Sequence, residues 1–173
     1  MLKALRQRKE RRRLADSLGD RLSHQARDPA FYADCGVSDT FDGRFDLLVL
    51  HGWMVLQVLR SLGEGMLAQA LIDSLFTRLD DALREQGAGD MSMSRRMKTM
   101  AGAFYGRLSA YDAAPDEAAM AGALLRNVYR GQDDRIEQAA RLAKYVADAR
   151  ARLVQSRLTE GEADFGPVPK QQR

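Results

Sequence analysis

Apolar residues recur at helical rather than strand spacing along most of this chain. Four leucines in the stretch 66–86 lie four residues apart: Leu67, Leu71, Leu75 and Leu79. This spacing places side chains on one face of an α-helix. Comparable patterns occupy four further stretches: 2–25, 90–111, 115–131 and 132–158. Asp28 and Pro29 predict an additional short helix ending near Gly36, because they combine a capping carboxylate with proline at the first helical position.

The stretch 43–62 differs from the others because its apolar residues surround the whole helix. They run from Phe45 to Leu62 with few interruptions, a pattern typical of a helix that is enclosed by other helices. We therefore predict an all-α fold, a single-domain irregular helical bundle of about six to seven helices around this central apolar helix. The longest apolar run, 47–59, is shorter than the roughly 20 residues that span a bilayer.

The chain divides into three predicted parts. Residues 1–27 form a basic N-terminal helix or tail, residues 28–158 form the helical domain, and residues 159–173 form a tail. The tail is predicted to be disordered, because glycine and proline recur in it and no apolar periodicity continues. A length of 173 residues suits one domain with a substantial core.

Positive charge is concentrated in residues 1–13, the N-terminal arm. The arm holds one acidic residue, Glu10, and seven basic residues: Lys3, Arg6, Arg8, Lys9, Arg11, Arg12 and Arg13. Its net charge is +6, so the remaining residues sum to −3 within a total of +3. Such an arm either engages anionic lipid or nucleic acid, at roughly 1 kcal/mol per cation near an anionic membrane, or stays solvated without a partner.

The candidate chemical groups do not form a recognisable catalytic or metal site. Cys35 is the single cysteine, which excludes an internal disulfide and indicates a small buried apolar residue. Two histidines are too few for a zinc site built on cysteine and histidine. His51, inside the central helix, is predicted to be buried and hydrogen-bonded to another helix. The sequence thus argues against an enzyme, and no cofactor or metal is predicted.

Residues 39–46 place three aspartates and one arginine directly before the buried run. Charges beside a core are costly unless they are paired. We predict that Asp42 caps the central helix and that Asp46 pairs with a basic residue elsewhere. Arg44 either contacts a partner or pairs with one of these aspartates, and Arg84 has the same two interpretations.

The stretch 91–100 contains four of the eight methionines: Met91, Met93, Met97 and Met100. Flexible thioethers suit an adaptable surface for apolar segments, but they also fill helix cores. Arg95, Arg96 and Lys98 alternate with these methionines and give the same helix a basic face.

Two segments of the chain resemble the ubiquinol–cytochrome c chaperone family. They are FYADCGVSDTFDGRFDLLVLH, which begins at Phe31, and LFTRLDDALREQGAGDMSMSRRMKTMAGAFYGRLSAY, from Leu75 to Tyr111. With the helix between them they span about 80 of the 173 residues. The resemblance implies a helical, non-enzymatic assembly chaperone that binds newly made cytochrome b for biogenesis of the ubiquinol–cytochrome c reductase complex. The short N-terminus suggests the bacterial form.

The resemblance also implies partners and a location. The expected partners are nascent or unassembled cytochrome b, the ribosome, the anionic inner-membrane surface, and either a small protein partner or a second copy of the chain. The expected location is the bacterial cytoplasm, peripheral to the inner membrane. The alternative is a peripheral membrane or RNA- and ribosome-binding adaptor without chaperone activity.

Two sets of contact residues follow from these expectations. The arm's seven basic residues are predicted to contact the membrane or ribosome. The residues predicted to contact client or partner are Arg44, Arg84, Met93, Arg95, Arg96, Met97, Lys98 and Met100.

Overall fold

The computed structural model describes residues 1–85, 87 and 90–170, with the side chains of Asp90 and Met91 left out. Within these residues it contains two short 3-10 turns, Asp133–Arg135 and Leu158–Glu160, and no β-strand. The α-helices are α1 (Leu2–Ala26), α2 (Pro29–Ala33), α3 (Phe41–Ser61), α4 (Gly65–Glu85), α5 (Asp90–Asp112), α6 (Glu117–Asn127) and α7 (Ile136–Gln155). The predicted all-α, single-domain bundle is confirmed. In this described part of the chain, none of the helices is long and apolar enough to cross a membrane.

Helix α3 is the central element of the bundle. Fourteen of its 21 residues are buried, and it packs against α1, α4, α5 and α7. The Thr40 hydroxyl caps it by accepting a hydrogen bond from the Gly43 amide at 3.1 Å. The prediction that Asp42 caps α3 is wrong, because the helix begins at Phe41 and Asp42 lies in its first turn. Gly43 is required here, since a Cβ atom would lie 1.9 Å from the Ser38 carbonyl oxygen.

Helices α1 and α4 lie side by side and run in the same direction. The Ser74 hydroxyl donates to Asp16 at 2.7 Å, and one turn further Arg78 pairs with Asp20 at 2.8 Å. The second half of α1 buries Ala15, Leu18, Leu22 and Ala26 in the common core. The boundary predicted at residue 27 therefore does not separate two bodies. The transition within α1 falls near residue 14, after the charged arm.

The C-terminal segment, residues 159–170, packs against the body. Phe165 and Val168 are buried, and the carbonyl of Gly161 accepts hydrogen bonds from Ser17 at 3.1 Å and from Arg21 at 3.0 Å. The prediction of disorder is wrong for these residues, because glycine and proline prevented a regular element without preventing burial of apolar side chains. Residues 171–173 lie outside the described residues.

Candidate interaction sites

A buried charge cluster joins three elements of the bundle. Asp46 of α3 is fully buried. Arg107 of α5 donates from Nε to Asp46 Oδ1 at 2.8 Å, and its Nη2 lies 2.7 Å from the same oxygen. Arg130, which follows α6, places Nη2 at 2.8 Å from Oδ2. The prediction that Asp46 pairs with a basic residue from elsewhere is confirmed, and the Asp46 cluster (Asp46, Arg107 and Arg130) ties α3 to α5 and α6.

The cluster is built for structure rather than for proton transfer. Burial raises the pKa of Asp46 to about 6, although the two guanidinium groups oppose that rise. Arg130 has φ +57°, a left-handed conformation uncommon outside glycine. Its N–H bonds align poorly with Oδ2, so this contact is an ion pair without a well-formed hydrogen bond. Both oxygens of this buried carboxylate are thus engaged by arginines of other elements.

A second buried polar pair, His51 of α3 and Tyr145 of α7, is neutral. His51 Nδ1 lies 2.7 Å from the Leu47 carbonyl oxygen, and Nε2 lies 2.8 Å from the hydroxyl of Tyr145 on α7. Because a carbonyl only accepts, the proton sits on Nδ1 and the Tyr145 hydroxyl donates to Nε2. Burial lowers the pKa of His51 to about 4. The prediction of a buried histidine hydrogen-bonded to another helix is confirmed.

Cys35 offers no reactive thiol. Its side chain is fully buried, and burial raises the pKa of the thiol to about 11. Its Sγ lies 3.6 Å from the Pro169 carbonyl oxygen in the C-terminal segment. Among the described residues, no group of three or more histidine, cysteine, aspartate or glutamate side chains is placed to hold a metal ion.

Arg44 and Arg84 both pair with a nearby aspartate. Arg44 donates from Nε to Asp39 Oδ1 at 2.8 Å, and Arg84 donates from Nε to Asp80 Oδ2 at 2.8 Å. Both guanidinium groups remain largely exposed at the surface. The pairing interpretation is therefore observed for both residues, while their contact with a partner stays a prediction.

The methionines of α5 divide between core and surface. Met93 and Met100 are only 5% and 9% exposed, so most of each side chain packs in the core. The core interpretation is therefore observed for these two residues, while their contact with a client stays a prediction. Met97 is partly buried against the core, and the side chain of Met91 lies outside the described residues.

The basic residues of α5 face solvent. Arg95, Arg96 and Lys98 are exposed, and the structure gives none of them an ion pair with a described residue. Arg96 lies three and four residues before Thr99 and Met100, so these residues share one face of α5. Arg107 lies two turns further along the same face. Their proposed contact with client or partner remains untested by this geometry.

The N-terminal arm is the first half of α1 and is helical. Its seven basic residues are exposed, except for the half-buried Arg11. Arg8, Arg11 and Arg12 line a groove against α4. Arg13 pairs with Glu10 at 2.6 Å, which engages the arm's single carboxylate. Leu2 and Leu5 are also exposed, so the arm presents apolar side chains among its cations.

Two members of the Asp46 cluster were not predicted from the sequence. Arg107 lies 61 residues from Asp46, and no local pattern connects them. The available signal was positional, because Arg107 lies between Phe104 and Leu108 on the apolar stripe of α5. A lone arginine beside such a stripe indicates a buried partner.

Residues 33–159 match the sequence model of a family described as "Ubiquinol-cytochrome C chaperone". The match covers well over half of the 173 residues. The chain belongs to this family. The matched region of this ubiquinol–cytochrome c chaperone family member contains α3 to α7 with the whole Asp46 cluster, and it leaves out the N-terminal arm.

Two curated relatives are similar to this chain. The chain is 27% identical over 144 residues to the ubiquinol–cytochrome c reductase complex assembly factor 1 of Drosophila melanogaster, covering 77% of this chain and 53% of the relative. It is 25% identical over 120 residues to the protein of that name from Xenopus laevis, covering 67% of this chain and 60% of the relative. The chain therefore spans little more than half the length of these relatives.

A solved structure shares the complete fold. The crystal structure of the Cbp3 homologue from Brucella abortus superposes with a TM-score of 0.82 at 33% identity. The similarity covers 97% of this chain and 98% of the other. It therefore extends beyond the family match and includes most of the arm and most of the C-terminal segment.

Proposed function

We propose that this protein is an assembly chaperone for the ubiquinol–cytochrome c reductase complex and that its client is newly made cytochrome b. The observation that carries the proposal is the family match over residues 33–159, joined to a shared fold with the Cbp3 homologue. The two curated relatives are named as assembly factors of that complex. Cytochrome b as the specific client follows from the family resemblance.

The division between body and arm supports this role. The polar groups buried on α3 are paired internally, which suits a rigid binding body and leaves no acid–base pair for catalysis. A membrane-protein client is apolar and needs to be held where it is made. The arm, with a net charge of +6, would be attracted to an anionic inner-membrane surface or to ribosomal RNA. We place the protein in the bacterial cytoplasm, peripheral to that membrane.

Capture of the client tests the proposal. The full-length protein would carry a C-terminal tag in respiring cells, be crosslinked in vivo, and be recovered under denaturing conditions. We expect cytochrome b among the crosslinked proteins, in an amount that rises when haem supply is limited and unassembled cytochrome b accumulates. The matched control is a tagged subunit of another respiratory complex. Recovery of equal amounts of cytochrome b with that control, or none with the chaperone, contradicts the proposal.

The alternative is a membrane- or ribosome-binding adaptor in which the arm does the main work. The concentration of positive charge in residues 1–13 favours it. Deleting these residues separates the two functions, because the body retains every residue of the family match. A chaperone without its arm still crosslinks to cytochrome b, although less efficiently in cells, whereas an adaptor without its arm loses all its partners.

A further inference from the structure

A recess lies beside the Asp46 cluster, between the start of α3, the middle of α5 and the end of α6. Its volume is about 360 Å³. One wall is apolar and contains Phe41, Phe45, Met100 and Ala103. The lining also contains three cationic residues, Arg107, Arg126 and Arg130. The recess therefore places apolar and positively charged surface within one concave site.

The three arginines of the recess differ in how far they are already engaged. The Arg107 side chain is 16% exposed, pairs with Asp46, and lies over the Phe45 ring at 5.2 Å. The Arg130 side chain is 46% exposed, although its Nη2 pairs with Asp46 and its Nη1 donates to the Asn127 carbonyl oxygen. Arg126 is exposed and forms no hydrogen bond or ion pair with any residue in the described part of the chain. Arg126 is thus available to a ligand, and the partly exposed Arg130 adds positive charge beside it.

Positive charge continues beyond the rim of the recess. Arg96 lies one helical turn from Thr99 and Met100 on the same face of α5, and its side chain is exposed. Two carboxylates near the recess oppose the positive charge of these four arginines. Asp46 is buried and already paired, and Asp42 is exposed and lines the recess itself at the start of α3. The surface around the recess is therefore net positive.

We propose that this recess binds an acidic segment of a partner protein, with an apolar side chain against Phe41 and Phe45 and a carboxylate on Arg126, beside the positive charge of Arg130. Guanidinium groups pair with carboxylates in a directional, bidentate geometry. An apolar anchor in a pocket beside arginine is the arrangement that dominates binding energy at protein interfaces. A bilayer presents its headgroups in a plane, which does not fill a recess with an aromatic wall. The site does not depend on which protein is the chaperone's client.

A peptide titration with the purified full-length protein tests this binding site. The probe is a fluorescein-labelled eight-residue peptide in which a leucine–phenylalanine pair is flanked by glutamates, and its twin carries glutamines instead. We expect anisotropy to show saturable binding of the acidic peptide and at least tenfold weaker binding of the twin. The double variant Arg96→Ala/Arg126→Ala should weaken binding of the acidic peptide at least tenfold, because it removes two exposed positive charges. Neither substitution touches the Asp46 ion pairs, so we expect the bundle to remain folded.

The experiment also includes a matched control variant and a test of binding to lipid vesicles. Arg27→Ala removes an exposed arginine outside the recess and should leave peptide affinity within twofold of the unchanged protein. Thermal unfolding should be the same for all variants. Three results overturn the proposal: no binding of the acidic peptide, equal binding by the double variant, or equal loss with Arg27→Ala. A further result overturns it in favour of lipid, namely that the double variant loses binding to phosphatidylglycerol vesicles but retains the peptide.

Discussion

The Asp46 cluster and the N-terminal arm both depend on arginine, but they use it in opposite ways. In the cluster, Arg107 and Arg130 each lie within 2.8 Å of the same buried carboxylate, so that carboxylate is paired inside the protein. In the arm, seven cations face one glutamate, and most of their charge is directed to solvent. Buried charges fix how helices pack, whereas exposed charges contribute little to folding and remain available for partners. The free energy of unfolding should therefore separate the two regions.

The largest effect on folding is expected when Asp46 loses a partner. Arg107→Met keeps much of the side-chain volume but leaves a buried carboxylate with one poorly aligned ion pair. We expect a loss of about 3–5 kcal/mol in the free energy of unfolding, as for other broken buried pairs. Urea unfolding at pH 7 measures it.

A second substitution checks that the loss comes from the orphaned charge. The double variant Asp46→Leu/Arg107→Met removes the carboxylate as well, and it should recover at least half of the lost free energy. If the double variant is as unstable as Arg107→Met alone, lost packing of Arg107 rather than the buried charge explains the effect.

A smaller, pH-dependent effect is expected at His51, the neutral counterpart of Asp46 on α3. The pKa of His51 is lowered to about 4 in the folded protein, from 6.5, so the unfolded state binds more protons between these values. Its stabilising contribution is therefore complete above pH 6.5 and is lost as the pH falls towards 4. At about 1.4 kcal/mol per pKa unit, the loss between pH 7 and pH 5 is about 2 kcal/mol.

The comparison with His51→Gln isolates this contribution. The pKa of Asp46 is raised to about 6, so its contribution is complete below about pH 4 and is lost as the pH rises through 6. That opposite trend is common to both proteins and cancels in their difference. The stability difference between the unchanged protein and His51→Gln should shrink by about 2 kcal/mol from pH 7 to pH 5. A difference that is constant with pH would show that His51 is not held neutral.

The arm should contribute almost nothing to folding. Replacing Lys3, Arg6, Arg8 and Lys9 with glutamine should change the free energy of unfolding by less than about 0.5 kcal/mol, as for other surface sites. Binding to phosphatidylglycerol vesicles should fall by roughly 1 kcal/mol per cation removed. Vesicle sedimentation at fixed salt measures this.

The matched control keeps the charge of the arm. Exchanging lysine and arginine at the same four positions should preserve vesicle binding, because the attraction depends on charge rather than on guanidinium geometry. If vesicle binding is unchanged after the loss of all four cations, the arm is not responsible for membrane association.

The basic face of α5 tests whether exposed charge on the body also serves binding. Reversing Arg95, Arg96 and Lys98 to glutamate should leave the unfolding free energy within about 0.5 kcal/mol, because all three are exposed. We expect cytochrome b yield in cells to fall at unchanged chaperone abundance. Normal yield would make these residues ordinary solvated charges.

Local patterns predicted most of the fold, and long-range contacts account for what they missed. Helical spacing located the helices. The central position of α3 was predictable because apolar residues surround the whole helix. The need of Asp46 for a partner was also predictable, but Arg107 was not, since a contact across 61 residues leaves no local signal. Thr40 rather than Asp42 caps α3 because the helix begins two residues earlier than the apolar pattern suggests.

The candidate contact surface was less predictable than the fold for a related reason. Methionine spacing on α5 fits both a core and an exposed stripe, and only the packing of neighbouring helices places Met93 and Met100 inside. The C-terminal segment shows the same limit, because glycine and proline composition does not reveal that Phe165 meets His51, with ring centroids 5.1 Å apart.

The central claim is that this protein assists assembly of the ubiquinol–cytochrome c reductase complex. The most direct measurement is the amount of cytochrome b in membranes of respiring cells that lack it, taken from haem difference spectra and normalised to succinate dehydrogenase activity. The account predicts loss of assembled cytochrome b, with succinate dehydrogenase unchanged and full recovery when the unchanged gene is restored. Normal levels of assembled cytochrome b in the absence of this protein would contradict it.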